Sequence, residues 1–380
     1  LTVIIVNHNG WPDVLRLVSA LEAEPEFGSS ELEVVVVDNA SPDPIPERLR
    51  LYPPSGLRIL VRPDNGGFAV GVNAGWRLAR SDWLLVLNPD VEIASGLISQ
   101  VIERIERIER IERIERIERI ERIERIERIE RIEGQPCKPT GIVGFALRNP
   151  DGSTQGSVGV FPSLWRTITE QFIPRSRRKY QAGWRIQSGP VAWVTGACML
   201  VNSRMMAELG GMDEDFFLYH EEVAFSRSAQ DRGWRVEYDA GVQVIHRDPL
   251  QNRAITPKMR VIIRHSKLLY FRKHLPGWQF LGLSWIVTIE SAARGLMAWV
   301  LGRAEEGRAW RTIRDMTRRL RAGASVRGRE ALQLAEAIEV ARPDRAGVGI
   351  NPYRGLDRIA AERREPVPVC PPADCADRPA

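Results

Sequence analysis

The chain predicts an α/β fold, with a mainly parallel sheet flanked by helices and a helical extension at the carboxyl end. Three observations carry that expectation. Short apolar runs rich in Val and Ile alternate with helix-like patterns near the amino end, polar clusters close three of those runs, and a basic helix-patterned stretch follows residue 255. Apolar runs without polar alternation belong to strands covered on both faces, the usual condition of a parallel sheet.

In chain order, Leu1 to Val6 is the first strand. It lacks a basic n-region and a cleavage site and runs straight into Asn7-His8-Asn9, so it reads as a strand and not as a signal peptide. Asp13 to Glu24 is helix-like, Leu32 to Val37 is a second strand closed by Asp38-Asn39-Ala40-Ser41, and Leu57 to Val61 is a third. Ala69 to Ala79 is a helix behind the glycine-rich Asn65-Gly66-Gly67, and Trp83 to Leu87 is a strand closed by Asn88-Pro89-Asp90. Ligands in such sheets bind beyond the carboxyl ends of the strands, and three polar clusters there exceed what a bare fold requires. Residues 1–101 form the first half of the predicted domain.

Residues 102–133 are a strict Ile-Glu-Arg repeat. On an α-helix a three-residue period advances about 300°, so the isoleucines drift around the axis and never settle on one face. Each Glu as far as Glu127 has an Arg four residues later, the favourable order, worth about 0.2–0.5 kcal/mol per pair. The expectation is a solvated helical insertion, either a repeat expansion in a surface helix or an arm for a partner.

Residues 134–255 form the second half. Gly141-Ile142-Val143-Gly144 resumes the sheet, Asn149-Pro150-Asp151-Gly152 makes a turn, and 163–190, rich in Arg, Gly and Pro, is expected to loop over the site. Trp193 to Val201 follows, then Gly210-Gly211-Met212-Asp213-Glu214-Asp215, then His220-Glu221-Glu222-Val223-Ala224, and an alternating run that ends on His246. The four cysteines, Cys137, Cys198, Cys370 and Cys375, make neither a zinc-type pair nor a disulfide framework, which points to a reducing compartment.

These blocks, in this order, resemble the inverting GT-A glycosyltransferases of family 2, especially the rhamnosyltransferase-like branch, over roughly residues 1–275. The resemblance implies the GT-A (nucleotide-diphospho-sugar transferase) fold. It places a nucleotide-sugar donor against Asn7, Asp38, Asn39, Asn65, Gly67, Asn73, Asn88 and Asp90, and a divalent Mg2+ or Mn2+ on Asp90 and His246. It places the acceptor along Trp193, Thr195, Gly196, Ala197 and Asp213, and the catalytic base at Glu222, with Glu221 as second choice. The chain departs from the family pattern where Asn88 replaces the first acid of the metal motif, as is usual in this branch. Glu222 is also one methylene longer than the usual Asp, and Ala224 removes a third acid.

Read on their own, several of these residues have two readings. Asp38 contacts a nucleoside or makes an Asx-turn into Ser41-Pro42. The glycine run, which lacks the GxGxxG order, lets backbone approach a ligand or is an ordinary strand-to-helix turn. His246 is a metal ligand or a structural histidine; Trp193 offers a stacking face to a sugar or fills the core; Asp213 binds acceptor hydroxyls or caps a turn. The two glutamates are also well placed as charges in a helix first turn.

From Arg247 to Arg329, Lys and Arg outnumber Asp and Glu about threefold, although the whole chain carries only +5. Residues 256–330 therefore read as a basic amphipathic helical region, membrane-associated, and 331–380 as a polar helix and a tail disordered from Pro366 onward. Trp278 to Leu301 is apolar but interrupted by Glu290 and Arg294, with a polar stripe of Ser284, Thr288, Ser291 and Gly295. A spanning helix wants about 20 mostly uncharged residues, so an interfacial helix is expected, with the arginines from Arg303 to Arg321 toward anionic headgroups. A helical hairpin packed on the catalytic domain is the alternative. Nucleic acid is not indicated, because no recognition motif accompanies the basic residues.

The sequence thus predicts a metal-dependent inverting glycosyltransferase of cell-surface polysaccharide synthesis, cytoplasmic and peripheral on the inner face of the cell membrane. By resemblance it moves rhamnose from dTDP-rhamnose, with UDP- and GDP-sugars not separated from it by these residues, to a saccharide or polyprenyl-diphosphate-linked acceptor. One alternative is a nucleotide-sugar-binding protein with weak or no turnover. Another is a nucleotidyltransferase, which should carry a basic glycine-rich loop where this chain has Asn7-His8-Asn9-Gly10-Trp11.

Overall fold

The computed structural model describes residues 1–126, 138–170, 187–248 and 254–340. Part of the expected loop over the site, the end of the repeat, Cys137 and the tail with Cys370 and Cys375 lie outside the described residues.

The amino-terminal half runs β1 (Thr2–Asn7), α1 (Trp11–Glu22), β2 (Glu33–Asp38), α2 (Glu47–Leu51), β3 (Leu57–Val61), α3 (Phe68–Leu78), β4 (Trp83–Leu87) and β5 (Val91–Glu92). Strands β1, β2, β3 and β4 pair in parallel, in the spatial order β3-β2-β1-β4. Their alternate side chains enter two cores: Val3, Ile5, Val34 and Val36 pack with Val14, Leu17 and Leu21 of α1, whereas Ile4 and Val6 pack with Ala69 and Val72 of α3. Each fully buried Val, Ile or Leu contributes about 1.5–3 kcal/mol, which explains why both faces of these runs are apolar. Helix α3 lies unusually close to the sheet, since a Cβ on Gly71 would come within 2.5 Å of Val6 Cγ1 and one on Gly75 within 2.6 Å of Ile4 Cγ2.

The chain continues through α4 (Leu97–Ile126), β6 (Thr140–Arg148), β7 (Thr154–Gln155), β8 (Val158–Gly159), α5 (Leu164–Thr169), β9 (Gly189–Pro190) and β10 (Trp193–Val194). Next come β11 (Cys198–Asn202), α6 (Ser203–Leu209), α7 (Glu221–Asp231) and β12 (Arg235–His246). Strand β11 is antiparallel to both β4 and β6, and β12 runs parallel to β6, so one mixed sheet spans both halves.

The repeat is only partly the solvated arm that was expected. Ile108 is 2% exposed and Ile102 and Ile105 pack against the main core, while Arg104 pairs with Glu237 at 2.7 Å and Asp239 at 2.9 Å. Trp83 Nε1 donates to Glu109 at 3.2 Å, and Thr140 N donates to Glu112 at 2.7 Å. The drift itself explains the docking and its end. Each tripeptide turns the isoleucine about 60° backwards, so a few consecutive ones share an arc that faces the core before the stripe leaves it. From Ile111 through Ile117 the isoleucines are exposed.

The carboxyl-terminal helices are α8 (Pro257–His274), α9 (Gly277–Val300), α10 (Ala304–Arg321) and α11 (Gly328–Val340). Thr256 caps α8, its hydroxyl accepting from Met259 N at 3.2 Å. These helices share one hydrophobic cluster with Trp193, Phe216, Phe217, Val223 and Ala224, so they pack directly on the second half of the domain. The polar stripe of α9 is also turned the opposite way from an interfacial helix with its polar side in water. Ser284 and Ser291 are buried, and the Ser284 and Thr288 hydroxyls are satisfied by the carbonyls of Leu281 and Ser284. Small residues on that stripe let α9 pack against α10.

Candidate active site

Strand register brings the polar clusters together. Asn7 and Asp38 are cross-strand partners at the carboxyl ends of β1 and β2. Asn7 Nδ2 donates to Asp38 Oδ1 at 2.8 Å and to Ser41 Oγ at 3.2 Å, while its Oδ1 accepts from Gly10 N at 2.9 Å. Asp38 also accepts from Ser41 Oγ at 2.5 Å and Ser41 N at 3.1 Å, an Asx-turn that leaves the carboxylate further acceptor capacity. Asn39 Nδ2 donates to Gly67 O at 2.9 Å, whereas its Oδ1 is buried with no partner among the described residues. An orphaned buried acceptor costs about 1–3 kcal/mol, and a ligand donor would relieve it. Asn9 and Ala40 beside it hold left-handed backbones, with φ of 61° and 54°.

The glycine-rich loop packs closely on the chain's own backbone. Asn65 Oδ1 accepts from Gly67 N at 3.1 Å, and Gly67 sits at φ 92° with the position of a Cβ only 2.1 Å from Phe217 O. Phe68 N donates to that same carbonyl at 3.0 Å. Gly67 is thus needed for the approach of the chain's own backbone. Asn73 likewise ties α3 to a later turn: its Nδ2 donates to Met212 O and its Oδ1 accepts from Met212 N, both at 2.8 Å.

A second pair is closed by β5, whose pairing with β12 sets His246 opposite Val91, one residue beyond Asp90. His246 Nε2 lies 3.3 Å from Asp90 Oδ1, and Nδ1 lies 2.7 Å from Gln155 Oε1. The Gln155 amide nitrogen donates to Asn149 Oδ1 at 2.9 Å and to His246 O at 3.2 Å, so its oxygen faces the ring. That assigns the proton to Nδ1 and turns the Nε2 lone pair toward the carboxylate. Two acceptors at this distance require a proton or a cation between them. Two ligand atoms on one Mg2+, each about 2.1 Å from it at a right angle, stand about 3 Å apart, so the pair fits a divalent cation. Asn88, at the end of β4, donates through its backbone N to Ala197 O at 2.9 Å.

Glu221 and Glu222 open α7 and are each 5% exposed. They follow two consecutive bulky residues in the left-handed region, Tyr219 (φ 71°) and His220 (φ 67°), a conformation costing about 1–2 kcal/mol per residue. Such outliers collect at functional sites when the surroundings over-determine them. Here Ser266 of α8 donates to Leu218 O at 2.8 Å, Ala224 N donates to His220 O at 2.8 Å, and a Cβ on Gly328 of α11 would meet Phe217 N at 2.5 Å. Gly196 is where the elements meet, since a Cβ there would lie 3.0 Å from Phe68 Cε1 and 4.0 Å from Glu222 Cβ. Thr195 N donates to Ser157 O at 2.8 Å, which fixes the strand beside it. Ala224 lies in the cluster shared with α8–α11, so the site of the missing third acid is apolar.

Trp193 is corrected to a core residue: it is 1% exposed and its indole N–H donates to Val160 O at 2.9 Å, leaving no ring face for a sugar. Asp213 accepts from Asp215 N at 3.1 Å, as a turn cap does, and holds Lys273 Nζ at 2.7 Å. Burial works against the Lys273 ammonium, but hydrogen bonds to Asp213 and Asp215 outweigh it and raise its pKa. Ser41 was marked by the Asx-turn pattern after Asp38, whereas Gln155 and the strained backbone of Tyr219 and His220 had no periodic or motif signal that could have marked them.

The sequence profile described as Glycosyl transferase family 2 matches residues 2–210. A relative from Mycobacterium tuberculosis, N-acetylglucosaminyl-diphospho-decaprenol L-rhamnosyltransferase, is 26% identical over 326 residues, covering 77% of this chain and 91% of that protein. The low-salt glycan biosynthesis hexosyltransferase Agl10 of Haloferax volcanii is 25% identical over 267 residues, 69% of this chain and 72% of that one. Among solved structures, TarS 1–349 of S. aureus with UDP-GlcNAc is 13% identical, with a TM-score of 0.47 over 95% of this chain and 91% of that chain. With the profile spanning more than half of the chain and ending beyond the donor strands and the Gly196 segment, the protein belongs to glycosyl transferase family 2.

Proposed function

We propose that this hexosyltransferase moves a sugar from a nucleotide diphosphate to an acceptor hydroxyl by direct displacement, in a divalent-cation-dependent reaction. The observation that carries the metal reading is the Nε2 lone pair of His246 turned on Asp90 Oδ1 at 3.3 Å. Among the described residues no three His, Cys, Asp or Glu side chains gather, so Asp90 and His246 would share the ion with phosphate oxygens and water. Held there, a cation supplies positive charge where the diphosphate departs. Asp38 and the orphaned Asn39 carbonyl orient the nucleoside, and Glu222, beside Gly196, takes the acceptor proton, with Glu221 as the alternative base.

The donor we favour is dTDP-rhamnose and the acceptor a polyprenyl-diphosphate-linked saccharide. The support is the rhamnosyl transfer and decaprenol-linked N-acetylglucosamine in the name of the Mycobacterium tuberculosis relative. An acceptor of that kind places the enzyme at the inner face of an anionic membrane. The test is a thermal-shift screen of dTDP-, UDP- and GDP-sugars with Mn2+ and with EDTA, on the wild type and on Asp90→Ala. One sugar nucleotide should stabilise the wild type in Mn2+ alone, and Asp90→Ala should lose that response while keeping its own melting temperature. Equal donor affinity in Mn2+ and EDTA would remove the metal from the mechanism.

A further inference from the structure

Helix α9 buries Phe280, Leu283 and Val287 but carries a second set of large apolar residues on its outside. Trp278, Leu281, Trp285, Ile289, Leu296 and Trp299 fall on one helical stripe and all are exposed, whereas Ser284, Ser291 and Ala298 opposite them are buried. At 1.5 Å per residue the stripe extends over about 30 Å. A continuous apolar surface of that extent marks an interaction site, and no described helix is long and apolar enough to cross a membrane.

At the carboxyl end of the stripe, α9 and the start of α10 enclose a groove of about 430 Å3. Gly295, Gly302 and Gly307 keep it open, Leu296 and Trp299 form an apolar wall, and Arg303, Arg311 and Arg314 line it. Other arginines nearby are paired, Arg264 with Glu290 at 2.7 Å and Arg260 with Glu306 at 3.0 Å. The three groove arginines have no acidic partner among the described residues. The exposed Glu305 stands on the same first turn of α10 and pairs with none of them. Farther along, Arg321 lies 4.0 Å over the Trp285 ring. Guanidiniums bind phosphate oxygens in a forked geometry, and Trp with Arg at the edge of an apolar surface suits a bilayer interface.

We propose that the α9–α10 groove seats the phosphate of an anionic phospholipid while the apolar stripe lies in the bilayer interface. This deepens the membrane placement above and rests on it. A second copy of the chain is the poorer occupant, because a symmetric contact would set the same arginines against each other.

The test is cosedimentation of the full chain with vesicles of phosphatidylcholine and with vesicles that also contain phosphatidylglycerol, using glycerol phosphate as a soluble competitor. Wild type should prefer the anionic vesicles, and Arg303→Gln/Arg311→Gln/Arg314→Gln should lose about a hundredfold of that preference, at about fivefold per arginine. Gly295→Leu, which fills the groove without changing charge, should weaken the preference if a phosphate is seated and leave it intact if the attraction is diffuse. Unchanged preference in the triple variant or in Gly295→Leu overturns the proposal. So does wild-type binding that is equal on both vesicles, or a stripe-dependent dimer that ignores vesicles. Competition by glycerol phosphate to the same extent as by vesicles would assign the groove to free phosphate and overturn the bilayer role. Transfer to a water-soluble acceptor should be the same in all variants, so failure of the transferase reading shows as no transfer in any of them, whatever the vesicles report.

Discussion

The proposed donor wall of the site, at the ends of β1, β2 and β4, is held by strand register, whereas the proposed catalytic wall from Asp213 to Glu222 is held by side chains and backbone of α8 and α11. On the first wall, Asn7 meets Asp38 because β1 and β2 pair residue for residue. On the second, Ser266, Gly328 and the turn into α7 help to hold Tyr219 and His220 left-handed. A ladder fixes many residues at once, while a strained corner depends on a few contacts. Changes on the catalytic wall should therefore have the larger and more local effects.

The largest expected effect is at the proposed base. Adjacent residues on a helix point about 100° apart, so only one of two neighbouring carboxylates faces the acceptor. Glu222→Gln should lower turnover by about 10² to 10⁴ with donor affinity preserved, and Glu221→Gln by much less, as measured by steady-state kinetics and donor titration. The reverse ranking would move the base to Glu221 and turn the corner by one residue.

The joint between the walls comes next. Gly67→Ala would combine a left-handed alanine with a Cβ 2.1 Å from Phe217 O. A stability loss of about 3 kcal/mol is expected from strain and overpacking together, read by denaturant titration, along with a fall in donor affinity. A variant as stable as the wild type would mean that the two walls are not locked at this point.

The same contrast explains what could be read from the sequence. Apolar runs and their polar ends identify β1–β4 and place Asn7, Asp38 and Asn88, because in a parallel sheet pattern and position are nearly the same information. The Asp90–His246 pair was visible only through family resemblance, and Gln155 not at all, since its place follows from β7 pairing with β6. Trp193 could not be assigned, as burial of an aromatic depends on elements far along the chain. Helix α9 reversed its expected orientation because hydroxyls can be satisfied within a helix, so serine at regular spacing does not mark the wet side.

A smaller effect should appear on acidification. Burial lowers the pKa of His265 in α8 from 6.5, against the opposing hydrogen bond to Val326 O and the charges of Glu330 and Asp215, and burial lowers that of His274 in the same direction. The unfolded chain binds these protons first. The stability these residues contribute is present above pH 6.5 and is lost as pH falls through their lower folded values. Melting temperature should drop on acidification below that point, less steeply in His265→Gln. A melting temperature independent of pH there would show that the helices beneath the catalytic wall open without exposing these rings.

The smallest effect is expected in the repeat, which contains the same contrast in miniature. Its first turns are docked through Arg104, Ile108, Glu109 and Glu112, while Ile111, Ile114 and Ile117 are exposed. Deleting the five tripeptides Ile117–Arg131 preserves the Ile-Glu-Arg phase and spares every one of those docking contacts. Stability should change by no more than about 0.5 kcal/mol, the usual range for surface changes, and turnover should be unaffected. Denaturant titration and a transfer assay on the deleted chain would check this. A large loss of either would mean that the drifting stripe makes contacts beyond Ile117, whereas a loss that appears only when the deletion reaches back to Arg104 would locate the docking within the first turns.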